Sequence, residues 1–158
     1  MPERQTQSQM VDGVQEAIAA RGLDTLGVRP AIGPETAPFW KAAARGQLVV
    51  EMCMRCGLHL FPPRGVCRRC HSREVDWVAL EPPGVIYSST VNYNAWAPGV
   101  EAIYAIGLVE FPRFSGVRFV GYVDGFDGEP PIGALVDFGF HLTSAGLHRL
   151  HFTRWDAG

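Results

Sequence analysis

Four cysteines in two tight pairs constrain this chain more than any other feature. The first pair is Cys53-Met54-Arg55-Cys56, the second Cys67-Arg68-Arg69-Cys70, with ten residues between Cys56 and Cys67. Two residues between cysteines let one tight turn aim both sulfurs at a common point while backbone N–H groups face them. Gly57, directly after the first pair, supplies the positive φ that such a turn asks for. His71 holds the corresponding place after the second pair and is the less permissive choice there. Two such turns set four thiolates around a tetrahedral ion, the closed geometry of structural zinc. Iron in the same four-sulfur site and disulfides are the alternatives. A closed set leaves no position for water, which argues against a catalytic ion. The intervening Leu58-His59-Leu60-Phe61-Pro62-Pro63 is long enough for a strand and its return, giving a zinc ribbon. No ligand is missing, so His59 and His71 read as ordinary surface histidines.

Compartment and charge follow from the same region. No apolar run approaches the about 20 residues that span a bilayer, and Met1 to Ser8 lacks the layout of a secretory signal. The expected location is the cytoplasm, where cysteines stay reduced and paired cysteines point to metal before disulfide. Between Cys53 and Arg73 there are five arginines (Arg55, Arg64, Arg68, Arg69, Arg73) and no acid. From Glu74 to Asp137 nine acids face Arg113 and Arg118, a net of −7, although the whole chain is only −2. The cysteine segment is therefore basic and the segment after it acidic.

Eighteen glycines and twelve prolines favour short strands joined by tight turns over a helical bundle. Residues 1–34 form an N-terminal extension. Met10, Val14 and Ile18 fall on one face of a short helix over Gln7 to Arg21, and docked and partner-dependent states are both open. Thr36 to Arg45 is a second helix, with Pro38 in its first turn and Gly46 closing it. Leu48 to Met52 runs as a strand into the cysteines. Beyond the ribbon the period is two, with strands at Val75–Leu80, Gly84–Asn94, Ala102–Phe111, Val117–Val123, Ala134–His141 and Arg149–Trp155. Five or six short strands in so few residues cannot leave many open edges, so a small closed barrel is expected. The division is 1–34 extension, 35–80 helix plus ribbon, and 81–158 barrel.

Independent catalytic parts are missing from the pattern. There is no phosphate loop, no Gly-x-Ser-x-Gly elbow and no His-Glu-x-x-His. Lys41, the only lysine, sits on a helix and reads as solvated. His148 and His151 are three apart on a strand and take opposite faces. His141 lies on the preceding strand, and none of the three has a carboxylate nearby in sequence. The ribbon arginines admit a nucleic-acid reading, with Tyr87, Tyr93, Phe119 and Tyr122 as a stacking platform, although their alternating positions equally suit a barrel core or its outer face. The acidic barrel segment opposes it, because phosphate neutralisation dominates such affinity. The arginines also suit coenzyme A phosphates or an acidic partner surface. Trp96, in Asn92-Tyr93-Asn94-Ala95-Trp96-Ala97-Pro98, is either an exposed interface anchor or folded onto the barrel rim.

The order of parts resembles one family. Pro38-Phe39-Trp40 with Gly46-Gln47-Leu48, the cysteine pairs with Phe61-Pro62-Pro63-Arg64, Gly84-Val85-Ile86-Tyr87-Ser88, Tyr104 to Val109 and Gly133-Ala134-Leu135-Val136 resemble the DUF35 family of zinc-ribbon plus OB-fold proteins. The likeness covers about Pro38 to Trp155. It implies a mainly β fold with a few helices, a rubredoxin-like ribbon and a five-stranded OB-fold barrel. It further implies a non-catalytic accessory subunit of thiolases, acyltransferases or retro-aldol lyases acting on acyl-CoA thioesters, with zinc as structural ion and acyl-CoA as ligand of the complex. The acid processed is expected to be aromatic, steroid or similarly bulky, and Arg55, Arg64, Arg68, Arg69 and Trp96 are the expected contacts to coenzyme A phosphates or the partner. His71 departs from the family, where glycine is usual. The alternatives are a single-stranded nucleic-acid module and a free-standing acyl-CoA carrier.

Overall fold

The computed structural model describes residues 30–95, 100, 102–114 and 116–156. The helix expected over Gln7 to Arg21 and the loop position Trp96 lie outside them. The first element is α1, Ala37–Ala43, with Pro38 in its first turn. Its end is closed by Gly46 at φ 73°, whose N–H donates to the Ala43 carbonyl at 2.9 Å, as a glycine past a helix end is suited to do.

Two sheets follow. β1 (Val49–Cys53) pairs antiparallel with the two-residue β2 (His59–Leu60) on one side and with β3 (Val75–Ala79) on the other. This is the ribbon. The remaining strands are β4 (Gly84–Asn92), β5 (Tyr104–Glu110), β6 (Arg118–Asp124), β7 (Leu135–Leu142) and β8 (His148–Arg154). They close a barrel in the order β4-β5-β6-β8-β7, with β7 pairing back to β4. Every pairing is antiparallel except β6 with β8, which is parallel from Tyr122↔His151 onward. Closure removes the edges that five short strands would otherwise expose, and the architecture is the OB-fold expected from the sequence.

Alternation along the strands supplies the core. Ile86, Val109, Phe119, Val123, Val136, Phe140, Leu150 and Phe152 point inward and are buried. Glycine is required where two walls meet: a Cβ on Gly107 would lie 2.6 Å from Val123 Cγ2 and 3.2 Å from Ile86 Cδ1. Ala43, Leu48, Val50 and Leu80 belong to the same core, so the helix and the root of the ribbon are packed on the barrel. Phe119 is the hinge pin of that junction, with Phe61 at 4.1 Å, Phe111 at 6.2 Å and Phe39 at 6.4 Å between ring centroids. The tip of the ribbon has only a second, small core of Cys53, Leu60 and Cys67. Among the described residues no helix is long and apolar enough to cross a membrane.

Candidate functional site

The two cysteine turns are built alike. In the first, Cys53 N–H donates to the Leu58 carbonyl at 2.9 Å and Gly57 N–H to the Cys53 carbonyl at 2.8 Å. In the second, Cys67 N–H donates to Ser72 at 2.9 Å and His71 N–H to Cys67 at 3.0 Å. Gly57 has φ 70° and His71 has φ 56°. The second turn thus imposes the left-handed conformation on a histidine, at the steric cost that glycine avoids.

The sulfurs converge. All four lie within 4.8 Å of one another, with Cys53–Cys70 and Cys56–Cys67 each at 3.5 Å. Zinc–sulfur bonds of about 2.3 Å give tetrahedral sulfur–sulfur edges of about 3.8 Å, so the set fits a closed zinc centre. The backbone prepares it for deprotonated ligands. The Cys70 N–H does most to hold the Cys67 thiol down at about 6, against the desolvation of burial and with the Arg69 N–H assisting. At Cys56 the Leu58 N–H lowers the pKa, but burial and the other three cysteines outweigh it and push the thiol up to about 11. Such a shared-proton set surrenders its remaining protons to a divalent ion.

A residue the sequence left unremarked holds the ribbon together. Glu51, in the middle of β1, is 3% exposed. Its carboxylate accepts the Arg64 N–H at 2.7 Å and the Gly65 N–H at 3.1 Å, pinning the return loop that leads to Cys67. Glu51→Ala leaves both N–H groups without their acceptor and should cost about 2 kcal/mol. The check is chemical denaturation of the zinc-loaded protein, together with faster zinc transfer to a chromogenic chelator. Unchanged stability and transfer rate would remove Glu51 from this role.

The other expected residues are placed as follows. Arg55, Arg64, Arg68 and Arg69 are exposed. Arg68 reaches toward the turn at Gly116, where a Cβ would lie 3.9 Å from its Nη2. His71 is exposed, but His59 corrects the surface reading: it is half-buried edge-on to Phe114 at 5.0 Å, and burial lowers its pKa. The aromatic platform is dispersed. Phe119 faces the core, Tyr122 packs on Tyr104 at 5.5 Å, Tyr87 lies beneath Arg118, and Tyr93 stands 70% exposed.

A cysteine-bound ribbon packed on an OB-fold barrel is the class that this fold and site define. Residues 40–76 match the ChsH2 rubredoxin-like zinc ribbon domain, and residues 77–141 match the ChsH2 C-terminal OB-fold domain. The chain belongs to this ChsH2-type DUF35 family. It is 29% identical to a chain of the solved Ltp2-ChsH2(DUF35) aldolase, at a TM-score of 0.71, covering 80% of this chain and 98% of that one. A DUF35 protein of unknown function from Sulfolobus solfataricus shares the fold at a TM-score of 0.58 and 20% identity, over 78% of this chain and 87% of that one. A probable enoyl-CoA hydratase alpha subunit from Thermomonospora curvata is 34% identical over 92 residues, which is 58% of this chain. The chain spans only 28% of that relative's length.

Proposed function

We propose that the chain is a non-catalytic, zinc-holding subunit of a thiolase-type complex, with a thiolase, acyltransferase or retro-aldolase partner acting on an acyl-CoA thioester. The observation that carries this reading is the likeness, over 98% of that chain, to a chain of the Ltp2-ChsH2(DUF35) aldolase. The closed sulfur set agrees with it, because four protein ligands give the ion a structural role and no place for substrate. So does the build of the junction. Zinc stands in for a core in the ribbon tip, and the aromatic cluster at Phe119 fixes the root of the ribbon and the helix to the barrel, which yields a rigid docking body from few residues.

In this reading residues 35–80 form the docking lobe and residues 81–158 the barrel. Arg55, Arg64, Arg68, Arg69 and Trp96 meet the partner or the phosphates of coenzyme A. The acyl group is bulky, aromatic or steroid-like, and is consumed in its degradation. Zinc, when bound, holds the two cysteine turns in one shape, while Glu51, Gly57 and His71 set the loops around it.

The test is a tagged pull-down from the native host at moderate salt, with mass spectrometry of the eluate. An equimolar thiolase-like protein is expected, with acyl-CoA cleavage or condensation only in the joint fraction. Elution alone, or with nucleic acid, would overturn the subunit reading.

A further inference from the structure

β5 is apolar on both of its faces. Tyr104-Ala105-Ile106-Gly107-Leu108-Val109 contains no charged residue, and an unbroken run of that kind belongs to a strand covered on both sides. One side is accounted for, since Ala105, Gly107 and Val109 turn to the barrel core. Ile106 and Leu108 take the opposite face, on the outside of the barrel. The flanking strands continue that face. Their ladders set Ser88, Leu108 and Val120 in one row across β4, β5 and β6, and Thr90, Ile106 and Tyr122 in the next. The rows enclose a shallow depression of about 230 Å³ whose described lining holds no charged side chain. Val120, within it, is 66% exposed. The outer face of an antiparallel sheet is ordinarily polar, so an apolar one marks a docking surface.

The chain itself supplies a segment of the right kind. Residues 1–29 precede the described structure, which starts at Pro30. Met10, Val14 and Ile18 recur every four residues with Val11 beside them, and Asp12 and Glu16 fall on the opposite side of such a helix. A helix over 7–21 that carries Gly13 is too short to stand in water without a surface for its apolar stripe. The point of entry fits. Pro30 and Val120 line the same opening beside α1, and residues 22–29 reach at most about 28 Å. The periods fit as well. Residues four apart on a helix rise about 6 Å, and like-facing residues on a strand are about 6.8 Å apart. A helix laid along the strands therefore sets successive stripe residues over successive rows.

We propose that residues 7–21 of this chain dock as an amphipathic helix on the outer face of β4, β5 and β6, with Met10, Val14 and Ile18 against Ile106, Leu108 and Val120. The sheet is then covered on both faces, and Asp12 and Glu16 stay in solvent. A second copy or another protein could cover the same rows. The tether favours the chain's own segment, because a short linker holds it near the face at an effective concentration on the order of millimolar. The docking does not rest on the subunit reading above.

Hydrogen exchange of the full zinc-loaded chain, at a concentration where light scattering reports a monomer, tests it. Amides of residues 10–18 should exchange at least about tenfold more slowly than in Val14→Glu. Gln15→Glu adds the same charge one residue along, off the apolar stripe, and should leave the protection in place. Val120→Glu, at an exposed position of the barrel, should remove protection from residues 10–18 while β4 to β8 stay protected. Thr90→Arg, on the same face and already polar there, should do the same and serves if Val120→Glu loosens the strands. Residues 10–18 exchanging as fast in the unaltered chain as in Val14→Glu overturns the proposal. So does protection that survives both barrel variants, which places the helix elsewhere. Protection found only where light scattering reports a dimer also overturns it and gives the face to a second copy.

Discussion

Cys67→Ser abolishes stoichiometric zinc binding and melts the ribbon tip while the barrel stays folded. The argument begins from what the tip has besides metal. Its buried core is Cys53, Leu60 and Cys67, so two of three core side chains are themselves ligands. A lobe of this size cannot offset its chain entropy by burial, whereas structural zinc contributes about 10–16 kcal/mol in comparable small sites. Removing one thiolate leaves three ligands around an ion that needs four and opens the set to water. The root of the ribbon behaves differently, because Leu48, Val50 and Leu80 are buried in the barrel's own core. Protection of backbone amides from hydrogen exchange should therefore collapse over residues 53–75 and persist over β4 to β8. Metal analysis of the unaltered protein should return one zinc per chain, and a strong chelator should reproduce the variant's exchange pattern. Iron as the bound metal would change the ion but not the pattern. Protected ribbon amides in metal-free protein would sink the claim that the ion is the core.

The cysteine turns, α1 and seven of the eight strands were legible because their causes are local. Spacing places the sulfurs, Pro38 and Gly46 bracket the helix, and alternation marks each strand within a residue or two of its ends. What escaped has non-local causes. Nothing in the strand pattern around Glu51 marks it out; only the return of Arg64 and Gly65 over it makes it a buried anchor. The signal was a Pro-Pro-Arg-Gly loop, whose two available N–H groups need an acceptor if the loop packs down. Barrel closure rests on the parallel pairing of β6 with β8, which no one segment specifies. For Tyr87, Tyr93, Phe119 and Tyr122, alternation fixes which residues share a face but not which face is covered, and only the closed barrel puts Phe119 in the core. His141 and His151, ten positions apart, meet only through the β7–β8 register.

That pair carries the second large effect: the protein loses about 3 kcal/mol of stability between pH 6.5 and pH 4 through His151 alone. His151 pairs with Gly139 across the β7–β8 ladder, and its ring occupies the place of the missing side chain, so a Cβ on Gly139 would come within 2.8 Å of it. It is 2% exposed, 5.7 Å from His141 between centroids, and its Nδ1 has no hydrogen-bond partner among the described residues. Burial, then the neighbouring His141, lowers its pKa from 6.5 to about 4. Above pH 6.5 the ring is neutral folded or unfolded and no penalty exists. As pH falls below 6.5 the unfolded chain takes up a proton that the folded one refuses, so stability drops by about 1.4 kcal/mol per unit until the folded pKa is reached. Cysteine ligands and carboxylates also respond to acid, so the informative quantity is a difference. His151→Phe, which keeps a flat ring over Gly139, should remove most of this slope in urea unfolding, and the wild-type imidazole should titrate near pH 4 by NMR. Equal slopes in the two proteins, or an imidazole titrating at 6.5, would show that this face of the barrel admits water and that His151 is not held dry.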